Sequence, residues 1–171
     1  MERYGMLDNI KAHSFVVEKV ASTIARGNID AGLNISLEKV IAGSLMHDIG
    51  KTLCLDSKDD HAAKGKEICI QNNFNEIAEI VGEHIRLNRY DPKDTIRVKE
   101  IVYYADKRVN HDKIVSLEDR LEYLLIRYAK DSKRLARLIK INFNECRKVE
   151  KKLFAKLNFR PHELADMIDN A

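Results

Sequence analysis

The chain has 171 residues, of which 44% are hydrophobic and 33% are charged. This balance is typical of a globular protein and excludes an intrinsically disordered chain. The 30 Lys and Arg residues and the 27 Asp and Glu residues leave a formal net charge of +3. Because nucleic-acid-binding proteins usually carry a clustered basic face, this small excess does not predict a nucleic-acid partner.

The cysteines and the N-terminal residues indicate the compartment. Cys54, Cys69 and Cys146 are odd in number and widely spaced, so they predict free thiols in a reducing environment rather than a disulfide framework. Residues 1–10 carry charged side chains and lack the apolar centre of a signal peptide. No uncharged apolar run is long enough to span a bilayer. We therefore expect a cytoplasmic protein with no membrane partner.

Helical spacing of apolar residues, together with only 7 Gly and 2 Pro, predicts five helices in the first part of the chain. They cover about 8–26, about 36–50, 61 to about 72, a stretch with Ile77 to His84, and a stretch with Val98 to Val109. Gly27 is predicted to end the first helix. Ser36 is predicted to cap the second helix, and Asp59 or Asp60 the third.

Three more helices are predicted in the C-terminal part. Ser116 and Asp119 have the spacing of a capping box that opens a helix to about residue 130. A helix rich in Lys and Arg follows over about 131–157, and Pro161 suits the first turn of a short last helix. No strand is predicted. We expect an all-α fold of one domain (1–171), with a helical core at about 8–110 and a C-terminal helical extension at about 111–171.

Histidine and aspartate side chains recur on the apolar faces of these helices. His84 follows Val81 at helical spacing, and Asp106 borders the apolar face of the fifth helix. His13 lies among apolar residues of the first helix, His47 and Asp48 close the second helix, and His61 opens the third. Taken singly, each is more often a hydrogen-bonded core residue than a ligand. Together they converge if the apolar faces share one core, and a bound cation satisfies such a cluster better than mutual hydrogen bonds do.

The ordered set of His13, the pair His47-Asp48 and Asp106 resembles the signature of the HD superfamily of metal-dependent phosphohydrolases. Residues 47–51 resemble the HDIG-Lys form of its central motif. His61 and His84 resemble the two extra histidines of binuclear members. The resemblance covers about residues 8–110 and implies the family's core of about five helices, with the metals held between them.

By this resemblance, the chain binds divalent metal ions, two per chain. The first ion is assigned to His13, His47, Asp48 and Asp106, and the second to His61 and His84, with Asp48 bridging the two. Iron or manganese is favoured over cobalt, nickel, zinc or magnesium. The alternative is a mononuclear enzyme in which His61 and His84 bind the substrate phosphate or donate protons.

Three cations near these motifs are candidates for substrate binding. The resemblance implies that Lys51 contacts the phosphoryl oxygens and takes part in catalysis with Asp48; the alternative is a solvated loop lysine. Lys107 and Arg108 follow Asp106 directly and are predicted to bind substrate phosphate. The alternative for both is an ordinary cation on the helix surface.

The predicted reaction is hydrolysis of a phosphate ester or anhydride by a metal-activated water. The expected partner is a small phosphorylated substrate, such as a nucleotide. Two other functions are compatible with the same ligands. One is a di-iron oxygenase of the HD type, and the other is a metal-binding signalling or scaffold domain that uses the basic helix 131–157 as its partner surface.

Overall fold

The structure is a computed structural model that describes residues 1–57 and 59–169. Over these residues the chain forms eight α-helices: α1 (Asp8–Asp30), α2 (Leu37–Met46), α3 (His61–Gln71), α4 (Asn75–Glu83), α5 (Val98–Lys107), α6 (Leu117–Tyr128), α7 (Lys133–Leu153) and α8 (Leu164–Asp169). These eight helices confirm the predicted all-α class. None of the described helices is both long and apolar enough to cross a membrane.

A short antiparallel hairpin lies between α5 and α6 and was not expected from the sequence. Strand β1 (Val109–Asn110) pairs with β2 (Lys113–Ile114), in the register Val109 opposite Ile114. The expectation that no strand would form is wrong at this point. Strands of two residues are too short to show an alternating apolar pattern, so periodicity could not reveal them.

Side-chain caps set the beginnings of several helices where the sequence predicts them. Ser36 accepts a hydrogen bond from the Lys39 backbone N–H at the start of α2. Asp60 accepts from two backbone N–H groups at the start of α3, which places His61 as the first residue of that helix. Ser116 and Asp119 form the predicted capping box of α6. Each cap satisfies backbone donors that have no partner within the helix.

Gly27 does not end the first helix, because α1 continues through it to Asp30. A Cβ atom at Gly27 would lie 2.8 Å from a methyl carbon of Leu157 and 3.1 Å from the ring of Phe159. The glycine therefore permits close packing of the segment after α7 against α1. A contact between residues so distant in sequence leaves no local signal, which is why the predicted stop was wrong.

Helix α5 contributes side chains to both clusters of buried apolar residues. Tyr104 belongs to a cluster built largely from α1, α5 and α7, in which Cys146 and Leu153 are fully buried. Val102 belongs to a second cluster, with Ile49 after α2 and Val81 of α4. Because α5 packs on both sides, its position is strongly constrained, and with it the position of Asp106 in its last turn.

Candidate metal centre

The structure brings all six predicted metal ligands together. His13 lies in α1, the pair His47-Asp48 directly follows α2, His61 begins α3, His84 follows α4, and Asp106 lies in α5. The His47, Asp48 and His84 side chains are almost completely buried, and the His61 side chain is 27% exposed. Two groups of three residues have ligand atoms within 4.8 Å of one another: His13, His47 and Asp48, and Asp48, His61 and His84.

Asp48 belongs to both groups, and its two oxygens divide between them. Oδ1 lies 3.3 Å from Nε2 of His61 and 3.5 Å from Nε2 of His84. Oδ2 lies 3.5 Å from Nε2 of His47 and 2.7 Å from Nζ of Lys51. One carboxylate that faces two sets of imidazoles is the arrangement required to bridge two cations.

Asp106 completes the first group. Its Oδ1 lies 3.1 Å from Nε2 of His13 and 3.7 Å from Nε2 of His47. Its Oδ2 accepts a hydrogen bond of 3.2 Å from Lys107. The first group therefore offers two imidazoles and two carboxylates, a donor set that suits divalent first-row metals.

Backbone carbonyls orient three of the four imidazoles. Nδ1 of His13 contacts the carbonyl of His111 at 2.7 Å, and Nδ1 of His47 contacts the carbonyl of Ser44 at 2.7 Å. Nδ1 of His84 contacts the carbonyl of Val81 at 2.6 Å. Because a carbonyl only accepts, these contacts place the proton on Nδ1 and leave Nε2 to act as a ligand.

His47 supplies a direct test of whether the residues fit a metal ion. Its Nε2 is buried and has no hydrogen-bond partner among the residues that the structure describes. A buried polar atom without a partner is costly, and a cation between His47, Asp48 and Asp106 would remove that cost. The donor set and this unpartnered nitrogen both fit a metal ion.

The electrostatics of the cluster favour a positive charge within it. Burial alone would raise the pKa of the Asp48 carboxyl, but His47 and the hydrogen-bonding imidazoles hold that pKa well below its usual range. Burial acts likewise on Asp106, and Lys107 leads the interactions that keep its pKa well below the usual range. Burial opposes protonation of His47, yet the two carboxylates raise its pKa. Both carboxylates are therefore ionised at neutral pH and available as ligands.

The β1–β2 hairpin takes part in the site through its turn. His111 lies between the strands with a φ of 56°, in the left-handed region, and the same residue supplies the carbonyl that orients His13. Left-handed backbone is uncommon outside glycine and marks a position that the surrounding structure constrains. The sequence places His111 outside the ligand pattern, on the surface or beside the ligands, and does not reveal this contact, because a backbone carbonyl leaves no signal in residue type.

The metal centre opens into a cavity of about 470 Å³. Four of the six ligands line it: Asp48, His61, His84 and Asp106. Much of the remaining lining comes from α6 and α7: Arg120, Leu124, Tyr128, Leu135, Ile139, Asn142 and Phe143. The volume lies in the range of small-molecule sites. Spacing of four residues places the α6 side chains on one helix face, but that pattern alone does not distinguish a cavity wall from a packed core.

Two of the three predicted substrate-binding cations line this cavity. Lys51 contacts Asp48, whose carboxylate raises the pKa of the Lys51 ammonium although burial opposes it. The ammonium of Lys107 is held by the carbonyl of His84 and by Asp106, and it lies 4.2 Å from the centre of the Tyr103 ring. Both positions are compatible with the predicted contacts to phosphate.

Arg108 is the predicted substrate-binding residue that the structure does not bring to the cavity lining. Its guanidinium donates to the carbonyl of Val115 at 2.7 Å, to the hydroxyl of Tyr104 at 2.6 Å and to the carbonyl of Pro161 at 2.9 Å. These contacts tie α5 to the segments before α6 and before α8. The geometry gives Arg108 a structural role.

Comparisons with known proteins agree with this centre. The model of the HD domain family matches residues 10–124. Ribonuclease Y of Mycoplasma mycoides is 32% identical over 98 residues, which are 57% of this chain and 21% of that protein. An uncharacterized protein of Methanocaldococcus jannaschii is 26% identical over 148 residues, covering 79% of this chain and 86% of that protein. No solved structure matches the chain significantly.

The chain thus spans about a fifth of the length of the ribonuclease Y that it resembles. The family match covers more than half of the chain and includes all six residues of the candidate centre. The resemblance drawn from the histidine and aspartate pattern is confirmed. The chain belongs to the HD-domain family, the superfamily of metal-dependent phosphohydrolases.

Proposed function

We propose that the chain is a cytoplasmic phosphohydrolase that cleaves a phosphate ester or anhydride of a small phosphorylated molecule, such as a nucleotide. The observation that carries the proposal is the position of Asp48, whose two oxygens face two imidazole groups at the wall of a cavity that also contains Lys51 and Lys107. The free thiols Cys54, Cys69 and Cys146 support a reducing compartment.

Four imidazoles and two carboxylates would hold two divalent ions, with iron or manganese favoured by the nitrogen-rich donor set. Bound there, the ions would supply a water molecule of lowered pKa and would neutralise charge on the phosphoryl oxygens. Asp48 is the carboxylate that the two groups of potential ligands share. The carbonyl of His111 keeps His13 in one orientation, so the first group is arranged before a ligand arrives.

The lysines stabilise the negative charge of the reacting phosphate. Lys51 is 37% exposed in its side chain and lies 2.7 Å from Asp48, so its ammonium can reach an oxygen of a phosphate held beside that carboxylate. Lys107 is nearly buried and held by two acceptors, so it adds fixed positive charge. Positive groups placed before the reaction stabilise charge that develops in the transition state.

A small substrate is favoured over RNA by the dimensions of the cavity. Its volume of about 470 Å³ suits one small molecule, and a net charge of only +3 does not indicate the clustered basic surface that nucleic-acid-binding proteins usually carry. The name of ribonuclease Y describes a protein of which this chain matches only 21%. An RNA oligonucleotide nevertheless belongs in the test.

The test is a hydrolysis panel on purified, folded protein supplied with Mn²⁺, Fe²⁺, Co²⁺ or Mg²⁺. The panel contains aryl phosphates, nucleotides, dinucleoside polyphosphates, cyclic dinucleotides and an RNA oligonucleotide. Asp48→Asn should lower kcat by at least about 1,000-fold, because it removes the bridging charge. The control Asp56→Asn changes an exposed carboxylate outside the cavity lining and should leave kcat within about threefold. Silence across the panel from metal-loaded protein refutes the function, and cleavage of RNA alone refutes the small substrate.

A further inference from the structure

Arg120 lies in the cavity wall outside the motif that identified the metal centre. Together with Leu124 and Tyr128 it forms a row, four residues apart, on the face of α6 that lines the cavity. A cation in a cavity wall is stabilised by a bound anion, whereas the neighbouring leucine favours an apolar group. Both properties bear on which substrate the cavity accepts.

The guanidinium of Arg120 is held from one side. Nη1 donates a hydrogen bond of 2.8 Å to Oδ1 of Asn110, and Cζ lies 5.5 Å from the ring centre of Tyr123. Asn110 directly precedes His111, whose carbonyl orients His13. The side chain is thus anchored next to the hairpin turn that supports the metal centre.

The other edge of the same guanidinium has no partner. Nε is buried, and neither Nε nor Nη2 forms a hydrogen bond with any residue in the described part of the chain. Nor does Arg120 form an ion pair with a carboxylate there. Because Nε is buried, Nη2 is the nitrogen that a ligand in the cavity can reach. An N–H group of a guanidinium forms a strong, charge-assisted hydrogen bond to an oxygen of a carboxylate or phosphate.

We propose that Arg120 binds a second oxyanion of the substrate, separate from the phosphate at the metal centre. The substrate then carries two anionic groups joined by an apolar portion that packs on Leu124 and Ile139, which line the same cavity. The inference rests on the proposed function, because the first anion is the phosphate to be cleaved. The shared chemistry of the second group is a pair of oxygens with negative charge, from a carboxylate or a phosphate.

Matched compounds test the proposal. One pair is para-carboxyphenyl phosphate and its carboxamide, which have nearly the same shape but differ by one negative charge. A second pair is a nucleoside bisphosphate and the matching monophosphate, which distinguishes a phosphate from a carboxylate at Arg120. Each compound is titrated into the protein by isothermal titration calorimetry, and KM is measured for those that are hydrolysed.

Wild type should bind the more highly charged member of at least one pair roughly 10- to 100-fold more tightly, because a charge-assisted hydrogen bond from Nη2 to an anionic oxygen is strong. Arg120→Gln should abolish that preference and leave affinity for the other member within about twofold. Arg120→Lys keeps the charge without the planar guanidinium, which bonds Asn110 through one nitrogen while it offers another to the ligand, so it should retain only part of the preference. The control Arg127→Gln changes an exposed arginine of the same helix and should keep the whole preference.

Equal binding of both members of each pair by wild type overturns the proposal, as does failure of wild type to bind any of the compounds. A loss of affinity that Arg120→Gln causes equally for both members also overturns it, since a merely structural role predicts that result. Calorimetry detects binding of compounds that are not cleaved. A preference seen without any hydrolysis would therefore support the anion site while contradicting the proposed function.

Discussion

Replacement of Gly50 by alanine should separate two helices that build the metal centre. A Cβ atom at Gly50 would lie 2.5 Å from the carbonyl oxygen of His61 and 2.7 Å from the backbone nitrogen of Gly65. Both atoms belong to the backbone of α3, so no change of side-chain rotamer can relieve the overlap. The helix itself must move away from the turn that carries His47 and Asp48.

The loss in the free energy of unfolding that we expect for Gly50→Ala follows from this overlap. Overpacking of a core typically costs about 1–3 kcal/mol, and overlap with backbone belongs at the upper end. For a chain of this length, a loss of about 3 kcal/mol corresponds to a fall in Tm of about 6–12 °C. Because His61 is the first residue of α3, the displacement should also draw its Nε2 away from Asp48 and lower the metal content.

Thermal unfolding followed by circular dichroism measures the first effect, and elemental analysis measures the second. Gly82→Ala in α4 is the matched control, since its Cβ would meet only the flexible side chain of Lys66, at 2.9 Å. That control should keep or raise Tm, because alanine favours a helix over glycine by about 1 kcal/mol. The reasoning is refuted if Gly50→Ala and Gly82→Ala unfold at the same temperature with the same metal content.

Three further outcomes are expected. The double variant His61→Ala, His84→Ala should bind about one metal ion per chain where wild type binds about two; one ion in both proteins would contradict the binuclear centre. Arg108→Lys should lower the free energy of unfolding by about 3 kcal/mol through lost hydrogen bonds and leave KM unchanged, whereas a raised KM at unchanged stability would favour the predicted substrate role. His111→Gly should keep metal affinity and unfold at a higher Tm than His111→Ala, because glycine accepts the left-handed backbone without the strain that alanine incurs; equal Tm values for the two variants would refute the constraint.

The positions of the candidate ligands could be predicted because they depend on local patterns. His84 falls on the apolar stripe of its helix, Asp106 borders another, and the structure buries or half-buries both. The cap at Asp60 likewise placed His61 at a helix start. Such features need only the helical repeat and one capping group, which can be read from neighbouring residues.

Features that depend on contacts between distant residues could not be predicted. Gly27 accommodates Leu157, and Arg108 reaches the carbonyl of Pro161, across separations that leave no periodic signal. Arg120 is one of many charged residues in a polar helix, so only the structure distinguishes its unpartnered edge from a solvated side chain. In each case, the residue type permits several environments and tertiary packing selects one.

The cavity has two parts, the candidate metal centre and the wall formed by α6 and α7, and they differ in how strongly a substitution would disturb the surrounding packing. The candidate metal ligands lie in or directly beside helices that share buried clusters around α5, so a substitution there would disturb the packing and the geometry of the candidate centre together. Among the described residues of α6, only Leu117 is buried, and Leu124 of its cavity face is half-buried. The family match ends at residue 124, before Tyr128 and the residues of α7 that complete the wall. Substitutions in this wall can therefore alter substrate choice while the metal centre keeps its geometry, so relatives that share the centre need not share a substrate.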